Sequence, residues 1–399
     1  MLSLNLDKCC GCTACVSICP QECIKMVEDD EGFLIPRLVE DRRCIDCNLC
    51  NDVCPVITNS EETEKNQRGY IVQNIDESVR MESTSGGAFS AIAEYVIKND
   101  GVVYGAAYDE NFKVKHISIE KNDEIWRFRN SKYVQSFLGK TFNEVRKNLI
   151  AGRIVCFSGT PCQIEGLQSF LRKEYDNLIL VDVVCHGIGS PLIWDKYLET
   201  IKDFQPDNIY FRWKHYGYKY STMSFFKDGT EVYHSGVETD SMLRAYFTNS
   251  CDRNVCYDCP FKKRYRVSDI TIWDCFQPKY FDKSFDDDKG TTSVIIHSKK
   301  GQDMWMNVLK DGLLKFCEVD PDELVLGNRE MFASVPKSEM RDSILKDARS
   351  LSGEELFSKY FSITLKTRLK KSIRLILLKF GIYNAVKYLL FLKRRRDSD

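Results

Sequence analysis

Short apolar runs alternate with segments of helical periodicity through the middle of the chain. Three runs, at residues 102–108, 153–157 and 178–184, have the length and composition of buried strands. Apolar residues recur every three or four positions at 164–171 and 192–201, which is typical of helices that pack on one face. Strands that alternate with helices in this way predict an α/β core around a mostly parallel sheet covered on both sides.

Weaker patterns extend this core in both directions. Further strands are predicted at 70–73, 114–119, 208–213, 222–226, 269–273 and 293–297. Further helices are predicted between the N-cap Ser85 and Gly101, at 240–247 and at 302–313. The loops between about 214 and 292 are long enough to carry function. A uniformly polar segment at 58–67 predicts a linker.

From Leu365 onward the apolar residues keep helical spacing, but lysine and arginine are interleaved with them. Between Lys366 and Arg396 there are eleven basic residues and no acidic one, so the rest of the chain has a net charge of −12. The pattern predicts a C-terminal basic amphipathic helix, and no uncharged run approaches the ~20 residues that span a bilayer. Such a helix can bind a membrane surface, dock on the acidic body of the protein or contact a partner protein.

Length and composition are those of a globular protein of two to three domains, with 399 residues of which 43% are hydrophobic and 29% charged. The net charge of −1 gives no reason to expect a nucleic-acid partner. Eighteen cysteines without an export signal predict a cytoplasmic protein whose thiols serve metals or catalysis.

Eight cysteines near the start form two runs with the same spacing, Cys-x2-Cys-x2-Cys-x3-Cys-Pro, offset by 35 residues. The runs are Cys9, Cys12, Cys15, Cys19 and Cys44, Cys47, Cys50, Cys54. This spacing is typical of ferredoxins with two 4Fe-4S clusters, in which the fourth cysteine of each run binds the other cluster. One cluster is therefore assigned to Cys9, Cys12, Cys15 and Cys54, and the other to Cys44, Cys47, Cys50 and Cys19. Zinc fits a triplet with a distant Cys-Pro poorly. Cys10 and Cys23 fall outside the pattern and are expected to be plain buried thiols.

Two more features involve cysteine. The turn at 158–163 joins a strand to a helix, with Thr160 as a cap, Pro161 at the first helical position and Cys162 in the first turn. Downstream, Cys251, Cys256 and Cys259 precede Pro260, and with Cys185 or Cys162 they can form a third 4Fe-4S site. A zinc site or unrelated thiols remain open on spacing alone.

Six motifs in order give the chain a family resemblance. They are Ser-Gly-Gly-Ala-Phe (85–89), Ser-Lys-Tyr-Val-Gln-Ser (131–136), Gly-Thr-Pro-Cys-Gln (159–163), Cys-His-Gly (185–187), Cys-x2-Cys-Pro-Phe-Lys (256–262) and Ser-Asp-Ile-Thr-Ile (268–272). Over roughly residues 1–325 the chain resembles the coenzyme F420 hydrogenase/dehydrogenase beta-subunit family with an N-terminal dicluster ferredoxin. The fold class implied is α+β / α/β, with a small two-cluster ferredoxin module fused to a mixed α/β flavin-binding core.

The resemblance implies three regions within residues 1–325, and the charge pattern adds the tail as a fourth. They are a dicluster ferredoxin domain at 1–57, an N-terminal flavin region at 68–148, a C-terminal region with flavin and third-cluster sites at 149–325, and a basic helical tail at 326–399. FAD is then expected to bind Ser85, Gly86, Gly87, Lys132, Ser136, Gly159, Thr160, Pro161 and Gln163. The third cluster is expected on Cys185, Cys256 and Cys259, completed by Cys162 or Cys251.

One segment departs from the family pattern. Where relatives commonly read Gly-Asp-Phe-Trp-Gly, this chain has Trp-Asp-Cys-Phe-Gln at 273–277, so its organic substrate can differ from the deazaflavin. Cys275 in this segment and His186, a possible proton donor, are the candidate catalytic residues.

The function implied is an iron–sulfur flavoprotein oxidoreductase that passes electrons between 4Fe-4S clusters, FAD and a small-molecule hydride acceptor. The alternative is a noncatalytic electron-transfer subunit that feeds a separate enzyme. Either protein needs a redox partner protein or ferredoxin. The tail adds a possible contact with the inner face of the membrane.

Overall fold

The structure of the protein is a computed structural model that describes residues 5–40, 42–59 and 61–396, without the side chains of 384 and 394–396. Residues 1–4 of the predicted ferredoxin domain and 397–399 of the predicted tail lie outside the described residues. The strands are β1 (Ile24–Glu28), β2 (Leu34–Leu38), β3 (Arg68–Asn74), β4 (Val102–Tyr108), β5 (Val114–Ile119), β6 (Val155–Gly159), β7 (Leu178–Val183), β8 (Asn208–Trp213), β9 (Thr222–Lys227), β10 (Thr230–Gly236), β11 (Ile270–Asp274), β12 (Thr292–Ile296) and β13 (Leu314–Val319).

The α-helices connect and cover these strands. They are α1 (Ala14–Ile18), α2 (Leu49–Asp52), α3 (Pro55–Thr58), α4 (Glu77–Glu82), α5 (Ala88–Lys98), α6 (Thr141–Ile150), α7 (Pro161–Leu171), α8 (Pro191–Ile201), α9 (Ser241–Phe247), α10 (Lys299–Lys310), α11 (Pro321–Val325), α12 (Arg329–Phe332), α13 (Arg341–Asp347), α14 (Gly353–Phe361), α15 (Leu365–Lys379) and α16 (Ile382–Arg396). Short 3₁₀ helices lie at Leu6–Lys8, Asn122–Phe128, Lys202–Phe204, Asn254–Asp258, Pro278–Tyr280 and Lys283–Phe285.

The central sheet has eight strands in the order β13-β3-β12-β11-β7-β6-β4-β5. Only its middle is parallel, because β4, β6, β7 and β11 run in one direction while the outer pairs are antiparallel. The sequence predicted a mostly parallel sheet, and this was wrong for the edges. The turn at 109–113 explains one edge, since a connection this short returns the chain as a hairpin and cannot make a parallel crossover.

Two layers of core lie on the two faces of this sheet. Along β6, Val155 and Phe157 join the core beneath α6 and α7, while Cys156 between them joins the core beneath α5 and α10. This is the two-residue alternation of a strand that is buried on both sides. The central strands therefore end at one edge of a rigid frame, which is where α/β proteins commonly bind ligands.

A second layer consists of the antiparallel sheet β10-β9-β8 and helices α8, α9, α13 and α14 around a separate core. The sequence predicted β8, β9 and α9 but not β10. Most of β10 is solvent-exposed or half-buried, so it lacks the continuous apolar signal of the buried strands.

The N-terminal module is the β1–β2 hairpin with α1, α2 and α3. It is packed tightly on the core, because a Cβ on Gly166 of α7 would lie 2.7 Å from the Cβ of Cys12. The fully buried Arg341 donates two hydrogen bonds to Glu31 of the module, at 2.7 and 2.5 Å. The predicted linker is not free along its whole length, since Lys65 donates to the carbonyl of Arg266 at 2.6 Å.

The tail forms two helices, α15 and α16, where the sequence predicted one. Gly381 separates them with φ +70, a conformation that costs glycine little and that ends a helix. None of the helices in the described residues is long and apolar enough to cross a bilayer.

Candidate functional site

Four thiols from the two ferredoxin runs surround one small cavity. They are Cys9, Cys12, Cys15 and Cys54, the set that the spacing assigned to one cluster, and Met26 and Pro36 close the cavity. The loop curls because Gly11 and Thr13 both have positive φ, which turns successive side chains inward. The backbone N–H of Gly11 points at the sulfur of Cys9, 3.4 Å away.

The second run repeats this backbone geometry at the offset of 35 residues. Asp46 and Asn48 take the positive φ values of Gly11 and Thr13, and the N–H of Asp46 lies 3.4 Å from the sulfur of Cys44. The duplication therefore extends from the cysteine spacing to the conformation of each loop. The second loop is the more open one, since Cys47 is exposed.

Cys23 lies beside this second set of thiols. Its sulfur is 3.3 Å from that of Cys19, and burial together with Cys19 raises the pKa of Cys23 to about 11. The residue is buried, as the sequence predicted. Its protonated thiol lies within hydrogen-bond distance of a predicted ligand, so it is not a plain packing residue.

A second cavity is surrounded by thiols from four parts of the chain. The five cysteines that line it are Cys10, Cys162, Cys185, Cys256 and Cys259. Burial raises the pKa of Cys185 to about 12 and that of Cys259 to about 11, so the free thiols are protonated and a metal cluster would have to displace these protons. Lys262, Arg253 and Arg266 line the same cavity and would offset the charge of the thiolates.

Cys251 does not line this cavity. It is fully buried in the core around α8 and α9, where Ser190 donates its backbone N–H to the carbonyl of Cys251 at 2.8 Å. Of the two cysteines that the sequence offered to complete a third site, only Cys162 is among the cavity-lining thiols. The geometry thus argues against Cys251 as a ligand.

Cys10 lines both thiol cavities, and the sequence analysis missed this. The Cys12 thiol on one side, together with burial, raises the pKa of Cys10, whereas the Cys162 thiol on the other side acts to lower it. The only signal in the sequence is that Cys10 directly follows Cys9. No spacing rule predicts that neighbouring residues face different cavities.

A large pocket of about 830 Å³ opens beside the thiol cavities, at the carboxyl ends of the central strands. Seven of the nine residues expected at a flavin site line it, namely Ser85, Gly87, Lys132, Ser136, Gly159, Thr160 and Gln163. Gly86 and Pro161 do not line the pocket. Gly86 instead allows close backbone packing, since a Cβ there would lie 2.4 Å from the carbonyl oxygen of Val72.

A buried network fixes one side of this pocket. His116 faces the carbonyl of Ser158 at 3.0 Å with Nε2 and the hydroxyl of Ser136 at 2.9 Å with Nδ1. Burial lowers the pKa of His116 to about 4, so the ring is neutral; Nε2 donates to the carbonyl and Nδ1 accepts from Ser136. Gln163 donates to the same hydroxyl at 3.0 Å and, through Oε1, accepts from the N–H of Thr160. Ser136 and the start of α7 are thereby held in place.

The pocket also contains buried nitrogen groups whose hydrogen-bonding capacity the described residues leave partly unused. Burial lowers the pKa of Lys132 to about 7, and within the described residues its ammonium donates to two backbone carbonyls, of Arg129 and Asn130, and lies 5.5 Å from the ring centroid of Tyr108. The amide nitrogen of Asn130 and one guanidinium nitrogen of Arg212 are buried and unpaired. Such groups fit a ligand with negatively charged or carbonyl oxygens.

Every residue of the divergent segment 273–277 lines the pocket. Asp274 forms an ion pair with Arg212 at 3.1 Å, and Phe276 is 42% exposed and stacks on Tyr218. Burial raises the pKa of Cys275 to about 12, so its thiol is protonated at neutral pH. The segment that differs from the family pattern therefore lies at the ligand pocket itself.

The segment 185–188 forms the wall between the second thiol cavity and the large pocket, since each of its residues lines both. His186 in this wall faces the side-chain oxygen of Asn249 through Nε2 at 2.8 Å and packs on Tyr246. Burial lowers the pKa of His186, which favours the neutral ring.

Comparisons with known proteins found two family matches and a structural match. Residues 152–322 match the family described as the C terminus of the coenzyme F420 hydrogenase/dehydrogenase beta subunit, and residues 8–58 match the 4Fe-4S dicluster domain. One structural match is a chain from a xenon-derivatised F420-reducing [NiFe] hydrogenase complex of Methanosarcina barkeri. It has 14% identity and a TM-score of 0.46, and the match covers 77% of this chain and 97% of that one. Among curated proteins there was no match.

The chain is thus similar to that beta-subunit family over residues 152–322 and to the dicluster domain family over residues 8–58. Together the two matches confirm the family resemblance of the sequence, and they support an oxidoreductase with iron–sulfur clusters.

Proposed function

We propose that the protein is an iron–sulfur flavoprotein oxidoreductase that passes electrons between three 4Fe-4S clusters and FAD, to or from a small organic hydride acceptor. The observation that carries the proposal is the continuity of the three sites. Cys10 separates the first thiol cavity from the next, and the wall at 185–188 separates that one from the large pocket.

The proposed ligands of two clusters line the thiol cavities, and those of the remaining cluster, Cys19, Cys44, Cys47 and Cys50, follow from the ferredoxin spacing alone. Two clusters are assigned to the sets given by the ferredoxin spacing, and a third to Cys162, Cys185, Cys256 and Cys259. Iron–sulfur clusters are held by thiolates, and these buried thiols offer four sulfurs around each of the two described cavities. The positively charged Arg253 and Lys262 beside the third set favour the binding of a negatively charged cluster.

FAD is proposed to bind in the large pocket, whose volume is within the range of cofactor sites. When bound, a flavin supplies the exchange between single electrons and a hydride. Lys132 is positioned to bind its phosphate or carbonyl oxygens, and Gly87, Gly159 and the start of α7 allow its close approach. Ser136, held by His116 and Gln163, orients the bound ring or chain.

The acceptor is proposed to enter beside the segment 273–277, and it is coenzyme F420 or another small molecule. Cys275 holds a proton at its sulfur there, because burial keeps the thiol neutral. His186 is the second candidate proton donor, although Asn249 already occupies its Nε2. The exposed Phe276 and the Asp274–Arg212 pair shape this end of the pocket.

A specific observation favours the alternative, a noncatalytic electron-transfer subunit. The second ferredoxin loop exposes Cys47 and the apolar side chain of Ile45, and Ile57 on the following helix α3 is exposed as well. Exposed apolar residues beside a redox centre are typical of a docking surface for a partner protein. A redox partner is therefore proposed in either case, and the protein is expected in the cytoplasm with its tail near a membrane surface.

Anaerobic purification tests the proposal. We expect about twelve irons per chain and one noncovalent flavin, visible in absorbance and released on denaturation. A Lys132→Met variant should retain its iron but bind flavin more weakly. An iron-replete protein without flavin would contradict the enzyme and support the electron-transfer role. A colourless protein that contains zinc would overturn both.

A further inference from the structure

Helices α15 and α16 have an inner face against the mouth of the large pocket. Arg374 forms an ion pair with the buried Glu238, and Tyr383 is only 9% exposed. Phe391 packs edge-on against Tyr280, with ring centroids 5.7 Å apart. Since Arg374, Tyr383 and Phe391 all line the pocket, the tail is a part of its rim.

The opposite face of both helices exposes a stripe of large apolar side chains, here named the outer stripe. It consists of Leu365, Leu369, Ile373, Ile376 and Phe380 on α15 and its end, and of Ile382, Val386 and Leu389 on α16. Their spacing of three and four residues places each set along one side of its helix. All eight are between 46% and 84% exposed. A helix that docked on its own protein through its apolar face would bury this stripe.

The charges beside the stripe have a single sign. Lys366, Arg368, Lys370 and Lys379 are exposed on α15, and the sequence has no acidic residue from 362 to 396. An apolar stripe flanked by lysine and arginine alone is the pattern of helices that lie in the headgroup region of a bilayer. Anionic lipids attract such a surface, at about 1 kcal/mol for each basic side chain.

We propose that the outer stripe and its flanking lysines bind the surface of an anionic bilayer. Because the inner face of the same helices borders the pocket, this orientation places the mouth of the pocket next to the lipid. The inference rests on the proposed function in one respect, namely that the ligand in the pocket is a flavin.

Vesicle flotation of the full-length, anaerobically purified protein tests the inference. One arm uses phosphatidylcholine vesicles, and the other uses vesicles with added phosphatidylglycerol. We expect flotation with the anionic vesicles only, weakened by salt. Replacing both Lys366 and Lys370 by Gln should weaken partitioning about 25-fold, since each lost charge accounts for about a factor of five. Leu369→Glu should abolish it.

The matched control is Ile150→Glu, which changes an apolar residue that is 70% exposed at the end of α6, outside the tail. It should float like the unchanged protein. Iron content and melting temperature show whether each variant is folded. Added anionic vesicles should also slow amide hydrogen exchange in residues 365–379.

Three results would overturn the inference: equal flotation with neutral and anionic vesicles, no flotation at all, or unchanged flotation of Leu369→Glu. Capture of an acidic protein by the outer stripe, without lipid binding, would also overturn it. A protein that floats but contains no flavin would instead contradict the proposed function and leave the bilayer contact standing.

Discussion

The same substitution at two buried cysteines five residues apart should lower the iron content in one variant and leave it unchanged in the other. Cys256 lines the cavity proposed for the third cluster, whereas Cys251 lies in the core around α8 and α9. We expect Cys256→Ser to lower the iron content from about twelve to about eight per chain, because a 4Fe-4S cluster that loses a thiolate ligand is not retained. Cys251→Ser should keep about twelve.

The cost in stability is similar for the two variants, which makes them a matched pair. Both side chains are nearly inaccessible, at 8% and 0% exposure, and a buried serine hydroxyl without a partner costs about 1–3 kcal/mol. A general loss of folding would therefore remove iron from both. Only the placement of the two sulfurs predicts a difference between them.

The assay combines iron and acid-labile sulfide analysis with EPR after dithionite reduction, all under anaerobic conditions. The Cys256 variant should lose one cluster signal and keep those of the ferredoxin module. Loss of four irons from the Cys251 variant, or an undiminished twelve in the Cys256 variant, would refute the assignment of the third site.

Two further predictions concern the pocket and the module. Burial lowers the pKa of Lys132 to about 7, so flavin affinity should fall as the pH rises above 7 and this ammonium loses its proton. Titration of flavin binding against pH checks this, and Lys132→Met should remove the pH dependence. Gly166→Ala should destabilise the protein by about 1–3 kcal/mol and loosen the ferredoxin module, since the new methyl would overlap Cys12, whereas Ser169→Ala on the same helix should melt like the unchanged protein. Flavin affinity that is independent of pH, or equal melting temperatures of the two helix variants, would contradict the respective prediction.

The parts of the structure that depend on local spacing could be predicted from the sequence. The ferredoxin cysteines are an example, since gaps of two residues force a curled loop whatever the rest of the chain does. The strand-to-helix turn at 158–163 is another, because Thr160, Pro161 and Gln163 together specify a helix start.

The parts that depend on contacts between distant segments could not. The strand β10 is stabilised by pairing with β9 and has little apolar signal of its own. The antiparallel edges of the central sheet arise from how separate segments pair. Arg212 and His116 lie in ordinary strand sequences, and only the folded chain brings them to the pocket.

The adjacency of Cys9 and Cys10 has a mechanical consequence. One sulfur faces the first thiol cavity and the next residue's sulfur lines the neighbouring one as well, so a single peptide unit of about 3.8 Å joins the two compartments. At this point the boundary between the two cavities is the single residue Cys10, which belongs to the module, whereas the other thiols of the second cavity belong to the core. Inserting one residue between Cys9 and Cys10 would therefore displace a residue that both cavities share.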